Sequence, residues 1–197
     1  MNENEKQMTR EESLSIISGM INNAKNRFSE TGTLYLLWGF VIFICCITQF
    51  VMLYFFNNQN AYYVWYTTWV VAIYQFYYLF KKRKKEKVKT YTDEIVGFVW
   101  FTFIICSFIL VYILIKNNSL NAINACVLVM YGMPTFLSGI ILRFKPLKIG
   151  GIICWLLAIG AMFTTYQYQL LLLALAVIAA WIIPGFILRA KYNKENN

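Results

Sequence analysis

Histidine is absent from this 197-residue chain, proline occurs 3 times, and Asp and Glu together number 9. Metal centres and acid–base catalysis draw mostly on His, Asp, Glu and Cys. With no histidine, and with acids confined to the N-terminal segment, the stretch around Glu86–Glu94 and the tail, no catalytic residue, metal ligand or cofactor is expected. Charge is scarce as well. Only 14% of residues are charged, against about a quarter in a soluble domain, so a water-facing surface cannot be coated. A disordered chain is poor in hydrophobic residues and a secreted scaffold is dense in disulfides. Neither fits a chain that is 59% hydrophobic with 5 cysteines.

What the chain does have is apolar length. Six stretches contain no Asp, Glu, Lys or Arg: Leu34–Phe56, Ala61–Phe80, Ile95–Ile115, Ala122–Leu142, Ile149–Thr165 and Leu170–Leu188. About 20 helical residues cross a hydrocarbon core of about 30 Å. Lipid offers no partner to unpaired backbone groups, and the alternation of a barrel strand is missing, so each stretch is expected to be a helix. The connections are short, which makes neighbours antiparallel. The expected fold class is an all-α polytopic membrane protein. Six transmembrane helices form an up-and-down bundle behind a short N-terminal cytoplasmic amphipathic helix at about 10–29. Residues 1–33 form the cytoplasmic N-terminal segment, 34–188 the membrane domain and 189–197 a cytoplasmic tail.

Orientation follows from the 18 Lys and Arg. Every one except Lys116 falls in the N-terminal segment, the second loop (Lys81 to Lys89), the fourth loop (Arg143, Lys145, Lys148) or the tail. Positive charge stays in the cytoplasm, which places both termini there. Tyr54, Tyr62, Tyr63, Trp65, Tyr66, Tyr166 and Tyr168 then mark the outer interface, and Tyr35, Trp38, Tyr77 and Tyr78 the inner one. No small-x-small cleavage pattern follows the first span, so it is expected to remain as a membrane helix. The net charge of +9 reads as a topology signal with attraction to anionic headgroups, because no basic soluble domain exists to bind nucleic acid.

Before the first span, Thr9-Arg10-Glu11-Glu12 has capping-box spacing. Leu14, Ile17, Ile21, Ala24 and Phe28 then recur in steps of three and four, opposite Ser15, Ser18, Asn22 and Asn26. The charges of this segment cancel, unlike the basic polar face of helices that bind anionic membrane. Leu14, Ile17, Ile21 and Phe28 are therefore the candidate partner-binding face, for a cytoplasmic protein or a second copy. The bland alternative is a helix that merely leads into the first span.

Inside the spans, Cys45, Cys46, Cys106, Cys126 and Cys154 show no metal-ligand spacing and are expected to pack as small apolar residues without disulfides. Intramembrane ionisable groups, common in ion-coupled transport, are missing. Neutral polar residues remain, and Gln49, Thr67 and Ser107 form a candidate polar cleft, with interhelical hydrogen bonding as the alternative. Pro134 and Pro184 each remove a backbone hydrogen bond from their helices. Small residues at Gly150, Cys154 and Ala158, and at Ala176 and Ala180, have the spacing of close helix contacts. Ser138-Gly139 through Lys145 and Pro184-Gly185 through Lys191 match at five of eight positions, an internal echo 46 residues apart.

Glu12-Ser13-Leu14, Met20-Ile21, Ala24-Lys25, Leu36-Leu37-Trp38-Gly39, Leu142-Arg143-Phe144-Lys145-Pro146-Leu147, Gly150-Gly151, Cys154-Trp155 and Leu188-Arg189 together resemble an uncharacterised family of small six-span inner-membrane proteins from Bacteroidota. The resemblance covers nearly the whole chain and contains no catalytic motif. It implies a bacterial inner-membrane location and a role beside a cytoplasmic regulator. The function expected is that of a non-enzymatic interaction or regulatory-partner protein whose contacts, besides the lipid bilayer, are made at its cytoplasmic face. The alternative is a small transporter or permeability protein for a neutral or amphipathic solute.

Overall fold

A backbone that meets hydrocarbon must satisfy its own polar groups, and a helix does so locally. The computed structural model describes the backbone of residues 10–83 and 91–196, and no strand occurs among them. Helix α1 runs Arg10–Tyr54. A 3-10 segment, Gln59–Trp65, leads into α2 (Tyr66–Arg83), and α3 follows at Tyr91–Lys116. A 3-10 turn, Leu120–Ala122, precedes α4 (Ile123–Ile141), then come α5 (Lys145–Ala161) and α6 (Tyr166–Val177). A π segment, Ile178–Ile182, joins α6 to α7 (Ile183–Asn196) as one rod.

Among the described residues four helical stretches are long and apolar enough to cross a membrane: Gly32–Tyr54, Glu94–Lys116, Leu120–Ile141 and Tyr166–Ala190. The protein is thus all-α with helices fit to span a bilayer. The expected second and fifth spans are helical but are not among the four. Tyr and Gln dilute α2, which ends in Lys81-Lys82-Arg83, and α5 has only 17 residues and carries Lys145 and Lys148 in its first turn.

The expected N-terminal helix and first span are one continuous helix of 45 residues. Gly32, in Thr31-Gly32-Thr33, suggests a break, yet it serves packing. A Cβ there would lie 3.1 Å from the Gly185 carbonyl oxygen and 3.1 Å from Leu188 Cβ. Thr9 of the capping box and the basic run Lys84–Lys89 lie outside the described residues.

The core forms where α1, α4, α5 and the α6–π–α7 rod meet, around Cys46, Leu128, Leu147, Cys154, Leu173, Val177 and Leu188. Small residues let these backbones approach, as van der Waals packing between membrane helices requires. A Cβ on Gly150 would sit 2.6 Å from Ala180 Cα, and one on Gly151 would sit 2.7 Å from Phe136 Cβ. Cys154, Ala158, Ala176 and Ala180 are all buried along the same contacts. Helices α2 and α3 are peripheral. At the backbone level α2 touches α1 and its own 3-10 segment, and α3 lies along α4.

Pro184 accounts for the π segment. It has no N–H to offer Ala180, and its ring crowds that carbonyl. The preceding turn widens, and the Ile183 N–H bonds the Ile178 carbonyl five residues back. The internal echo does not extend to the backbone. Arg143 ends α4 in the left-handed region at φ 52°, with Phe144 N–H bonding Gly139 O at 2.9 Å, a Schellman closure. Arg189 continues within α7.

Gly150→Ala should therefore destabilise the fold by about 1–3 kcal/mol through overpacking against backbone. Gly160→Ala, whose Cβ meets nothing within 4 Å, should be neutral or gain up to about 1 kcal/mol from helix propensity. Thermal unfolding of both variants in detergent checks the contrast.

Candidate functional site

Polar side chains within apolar helices are where chemistry or recognition would be sited, so their partners decide what they do. Gln49 is 2% exposed near the end of α1. Both ends of its amide are engaged: Trp65 Nε1 donates to Gln49 Oε1 at 2.6 Å, and Gln49 Nε2 donates to the Tyr166 hydroxyl at 3.1 Å. Beside this link, the Cys45 thiol donates to the Val64 carbonyl at 3.7 Å. A related pair ties α2 to α1 towards the opposite end, where the Trp38 indole donates to the Gln75 side-chain oxygen. Two Trp–Gln clasps thus hold a helix whose backbone barely touches the bundle. One has Gln on α1 and Trp in the 3-10 segment before α2, and the other has Trp on α1 and Gln on α2.

The three candidate cleft residues are not joined by hydrogen bonds among the described residues. Gln49 is occupied by Trp65 and Tyr166. Thr67 is exposed on α2. Ser107 is half-buried on α3, and its hydroxyl is enclosed with no partner among the described residues. Asn124 Nδ2 and Gln169 Oε1 are likewise enclosed without partners. The other end of the Gln169 side chain is used, because Nε2 donates to the Ala161 carbonyl at 3.0 Å and the Thr164 carbonyl at 3.2 Å, closing the end of α5. In hydrocarbon an unpaired polar atom has no water to fall back on, and of these residues Gln49 and Gln169 are the two whose side chains bond across elements and serve cohesion.

A second polar link lies in the core beside a cluster of tilted and edge-on aromatic rings. Trp181, on the π segment, donates Nε1–H to Thr135 Oγ1 at 2.9 Å, and Thr135 Oγ1 donates to the Tyr131 carbonyl at 2.7 Å. The Trp181 ring meets Tyr131 at 4.7 Å and Trp100 at 5.9 Å, and Phe103 closes the ring of contacts to Tyr131 at 5.7 Å. Trp100 and Phe103 are the side chains by which α3 is attached to this cluster. Tyr35 joins from α1 at 5.9 Å from Trp100. Its hydroxyl neighbours Ser138, and neither hydroxyl has a hydrogen bond of good geometry among the described residues.

Leu14, Ile17, Ile21 and Phe28 fall on the first half of α1, whose backbone is helical and whose side chains lie outside the described residues. All five cysteines are free, with Cys45, Cys46 and Cys154 buried and Cys106 exposed. No group of three or more His, Cys, Asp or Glu among the described residues could hold a metal ion. Sequence reasoning identified Gln49 but not its partners, since Trp65 and Tyr166 read as interface aromatics. The only signal was their shared depth with Gln49 at one end of the bundle. The Trp181–Thr135 link carried no sequence signal apart from the echo, whose offset of 46 is also the separation of this pair.

No protein family, curated protein or solved structure matches the chain.

Replacing Gln49 by Leu leaves the Trp65 indole and the Tyr166 hydroxyl unpaired, and should lower stability by about 1–2 kcal/mol at about 0.6–1 per bond. Thr67→Val should change it by less than about 0.5 kcal/mol. Ser107→Ala, which removes an enclosed hydroxyl without a partner, should be neutral or stabilising by up to about 1 kcal/mol. Reversible unfolding in mixed micelles measures all three; a loss at Thr67 or Ser107 equal to that at Gln49 would restore the cleft as a unit.

Proposed function

We propose that this is a non-enzymatic, six-span protein of a bacterial inner membrane that engages a cytoplasmic partner through the N-terminal part of α1. The observation that carries the reading is the continuity of α1. The helix has 45 residues and its apolar span 23, so about 33 Å of helix, at 1.5 Å per residue, extends beyond the span. In this reading the two rods that do not qualify alone, α2 for its polarity and α5 for its length of 17 residues, cross the membrane as members of the bundle. The lysine and arginine distribution then keeps both termini in the cytoplasm. A helix rigidly continuous with a span cannot lie along the membrane surface. It stands away from it and carries the positions of Leu14, Ile17, Ile21 and Phe28 out of the span, on the part of the helix we assign to the partner.

The neutral charge balance of Thr9–Glu30 supports a protein partner over anionic lipid. The resemblance to small Bacteroidota membrane proteins supports the compartment and a regulatory role. A solute-transport reading gains little from Gln49, both ends of whose amide are engaged within the bundle, or from Thr67, which is exposed.

Deleting Met1–Glu30 should abolish co-purification of the cytoplasmic partner while the remaining chain still inserts. Undiminished co-purification from membranes containing the inserted, truncated protein would overturn the reading.

A further inference from the structure

Outside a membrane, water competes for backbone bonds and restores the hydrophobic drive, so a helix there holds its form by packing an apolar face. Two helices run past their apolar spans at the same end of the bundle. Residues 10–31 of α1 precede its span, and α7 continues beyond Ala190 to Asn196. These two helices are already paired where they leave. A Cβ on Gly39 would lie 2.7 Å from Ile182 Cγ1, one on Gly185 would lie 2.9 Å from Leu36 Cγ, and one on Gly32 would lie 3.1 Å from Leu188 Cβ. The pairing is antiparallel: steps back along α1, from Gly39 to Leu36 to Gly32, match steps forward from Ile182 to Gly185 to Leu188.

Both backbones stay helical past these contacts, so the register continues outward. The next steps of four and three bring position Phe28 level with Tyr192, and Lys25 level with Glu195. Phe28 is the one aromatic residue of 10–31, and Tyr192 and Glu195 are the one aromatic and the one acid of 191–196. The single ring on each arm thus falls level with the other, and the acid falls level with a lysine. The buried side of α1 points the same way. From Phe28, steps of three and four run without a gap through Gly32, Tyr35, Gly39, Ile42, Cys46 and Gln49, all buried. The stripe that begins at Leu14 is therefore the outward continuation of the seam that faces the bundle.

We infer that the C-terminal turns of α7 pack along the membrane-proximal end of this stripe, so that α1 and α7 leave the membrane as a paired stalk. This rests on the reading that the first half of α1 stands in the cytoplasm. An aromatic pair in water gains from burial and ring contact, and six residues of helix beyond a span gain the packing they need. Phe28 then serves the chain's own contact. Leu14, Ile17 and Ile21, which lie beyond the level of Asn196, are what remains for the partner.

Disulfide trapping in inverted membrane vesicles tests the pairing, in a background carrying Cys106→Ser and Cys126→Ser because those two thiols are not buried. Phe28→Cys with Tyr192→Cys should give a linked peptide pair within the monomer. Its yield should be several-fold above that of Phe28→Cys with Ala190→Cys, a position at nearly the same level on the exposed side of α7. Equal yields, or linkage only between chains, would overturn the inference. Labelling by a membrane-impermeant maleimide separates it from the reading beneath it. Phe28→Cys should react several-fold more slowly than Ile21→Cys, and deleting Lys191–Asn197 should bring the two rates together. Equal, fast rates in the full chain overturn the stalk alone. So does a Phe28→Cys rate that stays slow after the deletion while Ile21→Cys is fast, since the cover is then not α7. Slow labelling at both positions, unchanged by the deletion, overturns instead the cytoplasmic placement of the stripe.

Discussion

Hydrocarbon supplies no hydrogen-bond partner, and every level of this structure answers to that constraint. Backbone groups are satisfied by helix formation. Where Pro184 withholds its N–H, the chain widens into a π turn rather than leaving the mismatch to lipid. Several side chains follow the same rule at longer range, although five enclosed polar atoms, on Tyr35, Ser107, Asn124, Ser138 and Gln169, have no partner among the described residues. Gln49, Trp65 and Tyr166 come from three separate elements and meet at one end of the bundle. Trp181 and Thr135 meet in the core. Because apolar burial drives helices together weakly inside a membrane, these bonds and the close glycine contacts carry a larger share of cohesion than in a soluble bundle.

The architecture divides accordingly. The inner set of α1, α4, α5 and the α6–π–α7 rod is held by backbone proximity, with Gly150 against Ala180 and Gly32 against Gly185. The outer pair is held by side chains. Two Trp–Gln clasps retain α2, and the Trp100 and Phe103 rings, alongside the α3–α4 contact, retain α3. Trp69 of α2 also meets Phe108 of α3 at 5.5 Å, so the two outer helices touch each other through their rings. A glycine-packed centre suits a fixed scaffold.

Much of this was legible in the sequence. Runs of about 20 uncharged residues specify helices directly, because length and apolarity are the physical requirement for spanning. The small residues Gly150, Cys154, Ala158, Ala176 and Ala180 announced their contacts by spacing. The continuity of α1 was not legible. Gly32 between two threonines has the local chemistry of a break, and only the neighbouring Gly185 backbone explains why glycine is needed there. The Gln49 partners were hidden as well. Residues 16 and 117 positions away in sequence meet only once the bundle has formed, and composition ranks Trp65 and Tyr166 as interface anchors. Thr67 and Ser107 were grouped with Gln49 by depth alone, which says nothing of the side of the helix they occupy.

In the proposed reading α1 leaves the membrane without a bend and carries its apolar stripe into the cytoplasm. Single nitroxide labels placed in turn from Ile21 to Tyr35 in vesicle-reconstituted protein test it, with oxygen and a water-soluble nickel complex as the relaxing agents. The account predicts an uninterrupted helical period of about 3.6 residues through Gly32, with oxygen access rising only as the labels enter the span. Labels at Ile21 and Phe28 buried in lipid, with those at Asn22 and Asn26 in water, would show a helix lying on the membrane surface and would contradict the account.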